Sequence, residues 1–187
     1  MPHLLTGDPT PNSIAVTIPV AEGEQYILKE IVWSGDSAIA YPELANSLRV
    51  AVGGPANSVQ LEQDVLGLPL LFHPKGYLRA DARSKATLDD ATHSAVYQIQ
   101  IQQGDLYRLG KLEIAGLDPG LATWLERRSQ LRPGDPYDAT YWNRFMHEVG
   151  PQLPRISSGW KIKPEQTIHR DTKTVDVRLT FSPVSSR

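Results

Sequence analysis

Five residues of this chain, Gly23, Tyr26, Gly35, Gly53 and Pro55, return in the same order as Gly104, Tyr107, Gly116, Gly134 and Pro136. Every pair is separated by 81 residues, so the match runs without a gap through two copies of one small unit. A repeat of this kind dictates architecture before any local pattern is consulted, because each copy has to close its own core. Units of about 80 residues bury only about 60–65% of their unfolded surface, so contacts between the copies are expected to add to stability.

Within each copy the hydrophobic pattern gives the same order of elements. Tyr26, Leu28 and Glu30 alternate with Ile27, Lys29, Ile31 and Trp33, and Leu109, Lys111 and Glu113 alternate with Arg108, Gly110, Leu112 and Ile114. Both stretches read as a first strand closed by a glycine. A helix follows, opened by Tyr41-Pro42-Glu43 in the first copy and by the Asp118-Pro119 cap in the second. Leu44 with Leu48, and Leu121 with Trp124, Leu125 and Arg128, have the spacing of one helical face. Gly53-Gly54-Pro55 and Gly134-Asp135-Pro136 end these helices, and Asn57 or Asp138 is placed to cap a second one. The second helices are expected to bury Val59, Leu61, Val65 and Leu66, or Tyr141, Phe145, Met146 and Val149.

Gly76-Tyr77 and Gly159-Trp160 then lead into a second strand. In the first copy Leu78, Ala80 and Ala82 alternate with Arg79, Asp81 and Arg83. In the second, Trp160 and Ile162 are followed by Pro164, which lacks a ladder donor and so predicts a sheet edge. Polar connections at 84–94 and 166–172 precede last strands at 95–102 and 174–181. Tyr77 and Trp160 are expected to pack as core or turn residues, leaving the edge role to the backbone.

The side chains assemble no catalytic motif. Cys is absent, which removes thiolate chemistry and Cys-based zinc sites. His3, His73, His93, His147 and His169 form no His-x-x-x-His pair, and His147 beside Glu148 reads as a solvated helix position. Asp89-Asp90 and Glu62 with Asp64 read as loop and surface carboxylates. A net charge of −2 gives no reason to expect nucleic acid or an anionic membrane surface. No run approaches the roughly 18–20 apolar residues of a membrane-spanning helix, and the first residues lack the pattern of a signal peptide. The expectation is a binding protein with no enzymatic activity.

The order strand, helix, helix, strand, strand, with these landmarks, resembles the POTRA (polypeptide-transport-associated) domain of the Omp85 superfamily, the surface antigen D15 family. Residues 99–110, Ile-Gln-Ile-Gln-Gln-Gly-Asp-Leu-Tyr-Arg-Leu-Gly, are similar to its junction between successive domains. Ile114-Ala115-Gly116 and 131–138, Leu-Arg-Pro-Gly-Asp-Pro-Tyr-Asp, are similar to its strand-ending glycine and inter-helix element. The first copy departs from the pattern, with Ala56-Asn57 where Tyr-Asp stands in the second. Residues 14–26 repeat the junction and suggest the last strand of an earlier unit.

The resemblance implies an α+β fold of two tandem POTRA-like βααββ modules, each a three-stranded mixed sheet packed on two helices. It implies modules at 23–103 and 104–183, flanked by the end of a preceding unit or linker at 1–22 and a tail at 184–187. It also implies a periplasmic location in front of an outer-membrane β-barrel, and partners that are unfolded barrel precursors or secreted clients, with accessory lipoproteins or periplasmic chaperones. No cofactor and no metal are implied. The client-binding edge would be the second strand, Tyr77 to Arg83 and Trp160 to Lys163. The candidate residues are therefore Tyr77, Leu78, Arg79, Ala80 and Asp81, with Trp160, Lys161, Ile162 and Lys163. If the charges of the first copy guard its edge, the second copy is the better candidate. Two rival readings are a two-partner secretion transporter and an envelope or division scaffold.

Overall fold

A computed structural model describes residues 18–19, 23–154 and 159–184. The strand expected at 14–22 lies outside these residues except for Ile18 and Pro19, which belong to no element. The first unit runs β1 (Ile27–Asp36), α1 (Tyr41–Ala45), α2 (Ser58–Gly67), β2 (Asp81–Asp89) and β3 (Ser94–Gln102). The second runs β4 (Arg108–Ala115), α3 (Pro119–Arg128), α4 (Tyr141–Val149), β5 (Trp160–His169) and β6 (Thr174–Pro183). Each unit forms a three-stranded mixed sheet in which the last strand is central. β3 is parallel to β1 and antiparallel to β2, and β6 repeats this with β4 and β5. The α+β architecture expected from the repeat is therefore present.

The repeated residues have identifiable duties. Gly35 and Gly116 sit at φ +94° and +84°, where a β-carbon would collide with the carbonyl oxygen of Ile101 or Phe181 on the central strand. The Gly-x-Pro loops lie along the outer edge of the first strand. Gly53 N–H donates to Leu28 at 2.7 Å, Leu28 N–H to Gly54 at 2.8 Å, and Ala56 N–H to Tyr26 at 2.8 Å. In the second unit Gly134 donates to Leu109 at 2.7 Å, Leu109 to Asp135 at 2.9 Å, and Tyr137 to Tyr107 at 2.9 Å. The start of each first strand is thus closed by the chain's own loop.

Both first strands contain a bulge, between Leu28 and Glu30 and between Leu109 and Leu112. The extra residue reverses the alternation, so Leu28 and Ile31 both face the core, as do Leu109 and Leu112. This corrects the uninterrupted alternation read from the sequence, which set Leu28 and Ile31 on opposite faces. In the second unit the Asp176 carboxylate accepts the Lys111 N–H at 2.7 Å and so pins the bulge.

The caps at Asn57 and Asp118 form as expected, with Asn57 Oδ1 accepting from Gln60 N–H at 3.0 Å and Asp118 Oδ1 from Gly120 and Leu121. Asp138 instead closes the turn ahead of α4, accepting from Thr140 N–H at 2.8 Å. Leu61, Val65 and Leu68 face the first core with Leu44 and Phe72. Val59 and Leu66 do not: they are 65% and 75% exposed. Seven residues apart, they share the opposite side of α2 once Leu61 and Val65 point inward. The second core is more aromatic, with Tyr141 stacked on Phe145 at 5.4 Å between ring centroids and Trp142 edge-on to Phe145 at 6.0 Å. Burial pushes the Tyr137 phenol there up to about 12.

Asp64, read from the sequence as a surface carboxylate, is only 7% exposed. It binds the Arg49 backbone N–H at 2.7 Å, the Arg49 guanidinium at 2.6 Å and the Gln60 amide at 3.1 Å, tying α2 to the loop before it. Burial alone would raise its pKa, but the Arg49 contacts and the Gln60 amide outweigh burial and hold the carboxyl below its usual range.

The two units meet through backbone. Gly76 turns at φ +92°, its carbonyl accepts the Tyr107 N–H at 2.8 Å, and the His73 carbonyl accepts the Ala139 N–H at 3.3 Å. Leu78, which precedes β2, packs against the core of the second unit.

Two outcomes follow from these contacts. In Gly76→Ala the β-carbon would lie 2.7 Å from the Tyr107 oxygen and 2.8 Å from Leu106 Cδ1 at a backbone angle that disfavours L-residues. That substitution will destabilise the junction by about 1–3 kcal/mol, and calorimetry will resolve two melting transitions in place of one. For Asp64, a depressed folded pKa means that the stabilisation is present above the unfolded value and is lost as pH falls through the folded one. The melting-temperature gap between the native chain and Asp64→Asn, measured at neutral pH, will therefore close below about pH 4.

Candidate functional site

Sheet edges are the features of this fold that offer unpaired donors and acceptors, and the two edges of each sheet differ. The β1 and β4 edges are closed at their starts by the Gly-x-Pro loops. On the other side, among the described residues, β2 and β5 each pair with the central strand alone.

Backbone direction on these edges follows from observed contacts. Ile101 presents its carbonyl to Gly35 of β1, so Ile99 and Tyr97 also face β1, and Gln98, Gln100 and Gln102 face β2. Their partners Lys85, Arg83 and Asp81 take the inward bonds. Ala82, Ser84, Ala86 and Leu88 therefore turn their N–H and C=O groups outward. In the second unit Val184 N–H donates to the Gly159 carbonyl at 3.0 Å, which sets odd residues of β5 inward. Trp160, Ile162, Pro164, Gln166 and Ile168 turn outward by the same alternation.

The structure places the sequence-derived candidates unevenly. Trp160, Lys161, Ile162 and Lys163 all lie in β5 on the edge. Of the first-unit set, only Asp81 is in a strand. Tyr77, Leu78, Arg79 and Ala80 form a turn: Tyr77 N–H donates to Phe72 at 3.2 Å and Ala80 N–H to Tyr77 at 3.4 Å. Tyr77 and Ala80 pack on the first core, and Leu78 packs on the second. Those backbone groups are committed to the turn and to the junction, so the edge begins later than the sequence suggested. Tyr77 and Trp160 do pack as core residues, as expected, each edge-on to a phenylalanine, Phe72 and Phe181 respectively.

The residues missed are Ser84 to Asp89, which continue β2 where the sequence suggested a polar connection. Likewise β5 extends to His169. Thr87-Leu88 and Thr167-Ile168, β-branched or apolar pairs just before each turn, are the signal that was available.

The open faces of the two sheets carry different chemistry. In the first, Gln98, Gln100 and Gln102 of β3 form a neutral row beside Lys85, Arg83 and Asp81. In the second, charges interleave, Glu113 with Arg178 at 3.5 Å and Glu165 with Lys163 at 2.8 Å, and His169 Nε2 lies 3.0 Å from the Asp176 carboxylate. Glu113, Glu165, Asp176 and Arg178, with Lys111 and Thr167, line an open depression of about 470 Å³. The Lys111 N–H is the main cause that holds the Asp176 carboxyl below its usual range, with His169 assisting against burial. Lys163 does the same for Glu165.

Two solved structures share this arrangement. Crystal structures of BamA POTRA3-5 from Haemophilus influenzae and of BamA from Haemophilus ducreyi lacking POTRA domains 1-3 superpose with TM-scores of 0.57 and 0.62. Each half of the chain has the POTRA fold. Identity to these structures is 17% and 14%, over 85% and 84% of this chain. The chain spans 66% of the first and 29% of the second. No protein-family profile matches the sequence. In POTRA terms, β2 and β5 are the second strands of two successive domains, each without a partner on its outer side among the described residues.

The Asp176 contact generates a local prediction. Asp176→Ala removes the acceptor for Lys111 N–H in the bulge, a loss of about 0.5–1.5 kcal/mol. Hydrogen exchange at the Lys111 amide will accelerate, while the amides of β1 keep their native rates.

Proposed function

We propose that these two POTRA domains act as a periplasmic receptor and scaffold for unfolded outer-membrane β-barrel precursors, which they hold by β-augmentation. The observation that carries this reading is the pair of open edges, β2 and β5, with outward N–H and C=O groups at alternate residues. An extended segment laid on such an edge gains main-chain hydrogen bonds whatever its side chains, which suits a receptor for many unfolded partners. The reading is one of binding by the backbone of a scaffold, with membrane insertion belonging to a barrel elsewhere in the protein.

The test is a titration of isotope-labelled chain with a synthetic peptide copied from an outer-membrane barrel strand. Outward amides on β2 or β5 will shift and gain exchange protection, whereas the already paired inward amides, such as Arg83 and Lys85, will change little. Shifts confined to the helices, or none with millimolar peptide, would sink the proposal.

A further inference from the structure

The two open edges are not equivalent, because Pro164 stands at an outward position in the middle of β5. Its partner across the sheet is Leu179, the pairing runs without a slip from Trp160 to His169, and Leu179 directs its backbone to β4. The missing N–H is therefore one that an added strand would need. The proline ring also occupies the space where the added strand's carbonyl would approach. A segment pairing with β5 is broken into a part at Trp160 and Ile162 and a part at Gln166 and Ile168.

The corresponding position in the first unit is Ser84, opposite Ile99. There the outward series continues from Ala82, itself buried, through Ser84 and Ala86 to Leu88 with every donor present. Side chains beside this edge define what would sit on it. On the open face, Arg83 is held by Asp81 at 2.9 Å, and Lys85 enters no ion pair among the described residues. Their cross-strand neighbours Gln98 and Gln100 are neutral. On the helix face, Ala86 is exposed and Leu88 is 56% exposed, opposite the buried Ala95. In β5, Lys163 is already neutralised by Glu165 at 2.8 Å, and Lys161, exposed and in no ion pair among the described residues, sits on the short stretch ahead of the proline break.

We infer that β2 of the first domain is the working edge, and that its partner is an extended segment of another protein alternating apolar with acidic residues. The apolar side chains continue the surface of Ala86 and Leu88, and the acidic ones face Lys85, which enters no ion pair among the described residues, and Arg83, which Asp81 already holds. This rests on the augmentation reading and specifies its edge and its client chemistry. It also reverses the preference for the second copy suggested by the charges on the first.

The experiment is a titration of the labelled chain with two soluble peptides of about eight residues, one alternating valine with glutamate and the other valine with lysine. Two variants accompany the native chain. Ser84→Pro copies into β2 the break found in β5, and Pro164→Thr repairs β5. For the native chain, the glutamate peptide will shift the amides of Ser84, Ala86 and Leu88, and bind roughly tenfold more tightly than the lysine peptide. Ser84→Pro, checked for a native melting profile, will weaken glutamate-peptide binding by roughly tenfold. Pro164→Thr, which needs no tolerance of a new proline, will keep the β2 shifts and add a second set on β5. Native-chain shifts on β5 in place of β2 overturn this inference and leave augmentation standing. Equal binding of both peptides overturns the acidic assignment. Shifts on neither edge overturn the inference together with the reading it rests on.

Discussion

The hydrogen bonds between the Gly-x-Pro loop and the first strand decide what this protein is able to present. A three-stranded sheet has two edges, and each is a row of unpaired peptide groups. Gly53, Gly54 and Ala56 close the start of one edge in the first domain, and Gly134, Asp135 and Tyr137 do so in the second. Among the described residues no such loop lies along the outer side of the second strand. An edge left open in a protein that must avoid self-association needs some other protection, and here the two domains differ: one has a proline in mid-strand, the other charged side chains flanking its peptide groups.

The central strand explains why so much depends on a few glycines. β3 and β6 take a parallel partner on one side and an antiparallel one on the other, and the Ile101 and Phe181 carbonyls come close against the end of the first strand. Gly35 and Gly116 permit that approach because they have no β-carbon. The approach in turn fixes which residues of the central strand serve which neighbour, and thereby which residues of β2 and β5 turn outward. A steric requirement on one edge of the sheet thus sets the hydrogen-bonding face on the other.

Much of this was legible in the sequence because glycine and proline act locally. The repeat set the number and order of elements, the residues Asn57 and Asp118 marked their caps, and Pro164 marked β5 as an edge. What escaped was set by contacts distant in sequence. The bulges reverse the facing of Ile31 and Leu112; Gly110 marks the second, where a β-carbon would collide with the Asp176 carboxylate, whereas Lys29 gives no such sign in the first, which is set by register against β3. Tyr77 to Ala80 alternate like a strand, yet Gly76 turns the chain and the second domain claims Leu78. Asp64 looks solvated until Arg49 is brought to it. The outward set on β5 required a hydrogen bond at Gly159 to establish its phase, although Pro164 had already marked the strand as an edge.

The Leu78 contact makes the relation between the domains directional. All the residues in the first core come from the first domain, whereas the second core is completed by a side chain that precedes it in the chain. The first domain therefore holds everything needed to close its own core, whereas the second is complete only with Leu78 against it. Cutting the chain between them would leave the first core whole and open a gap in the second.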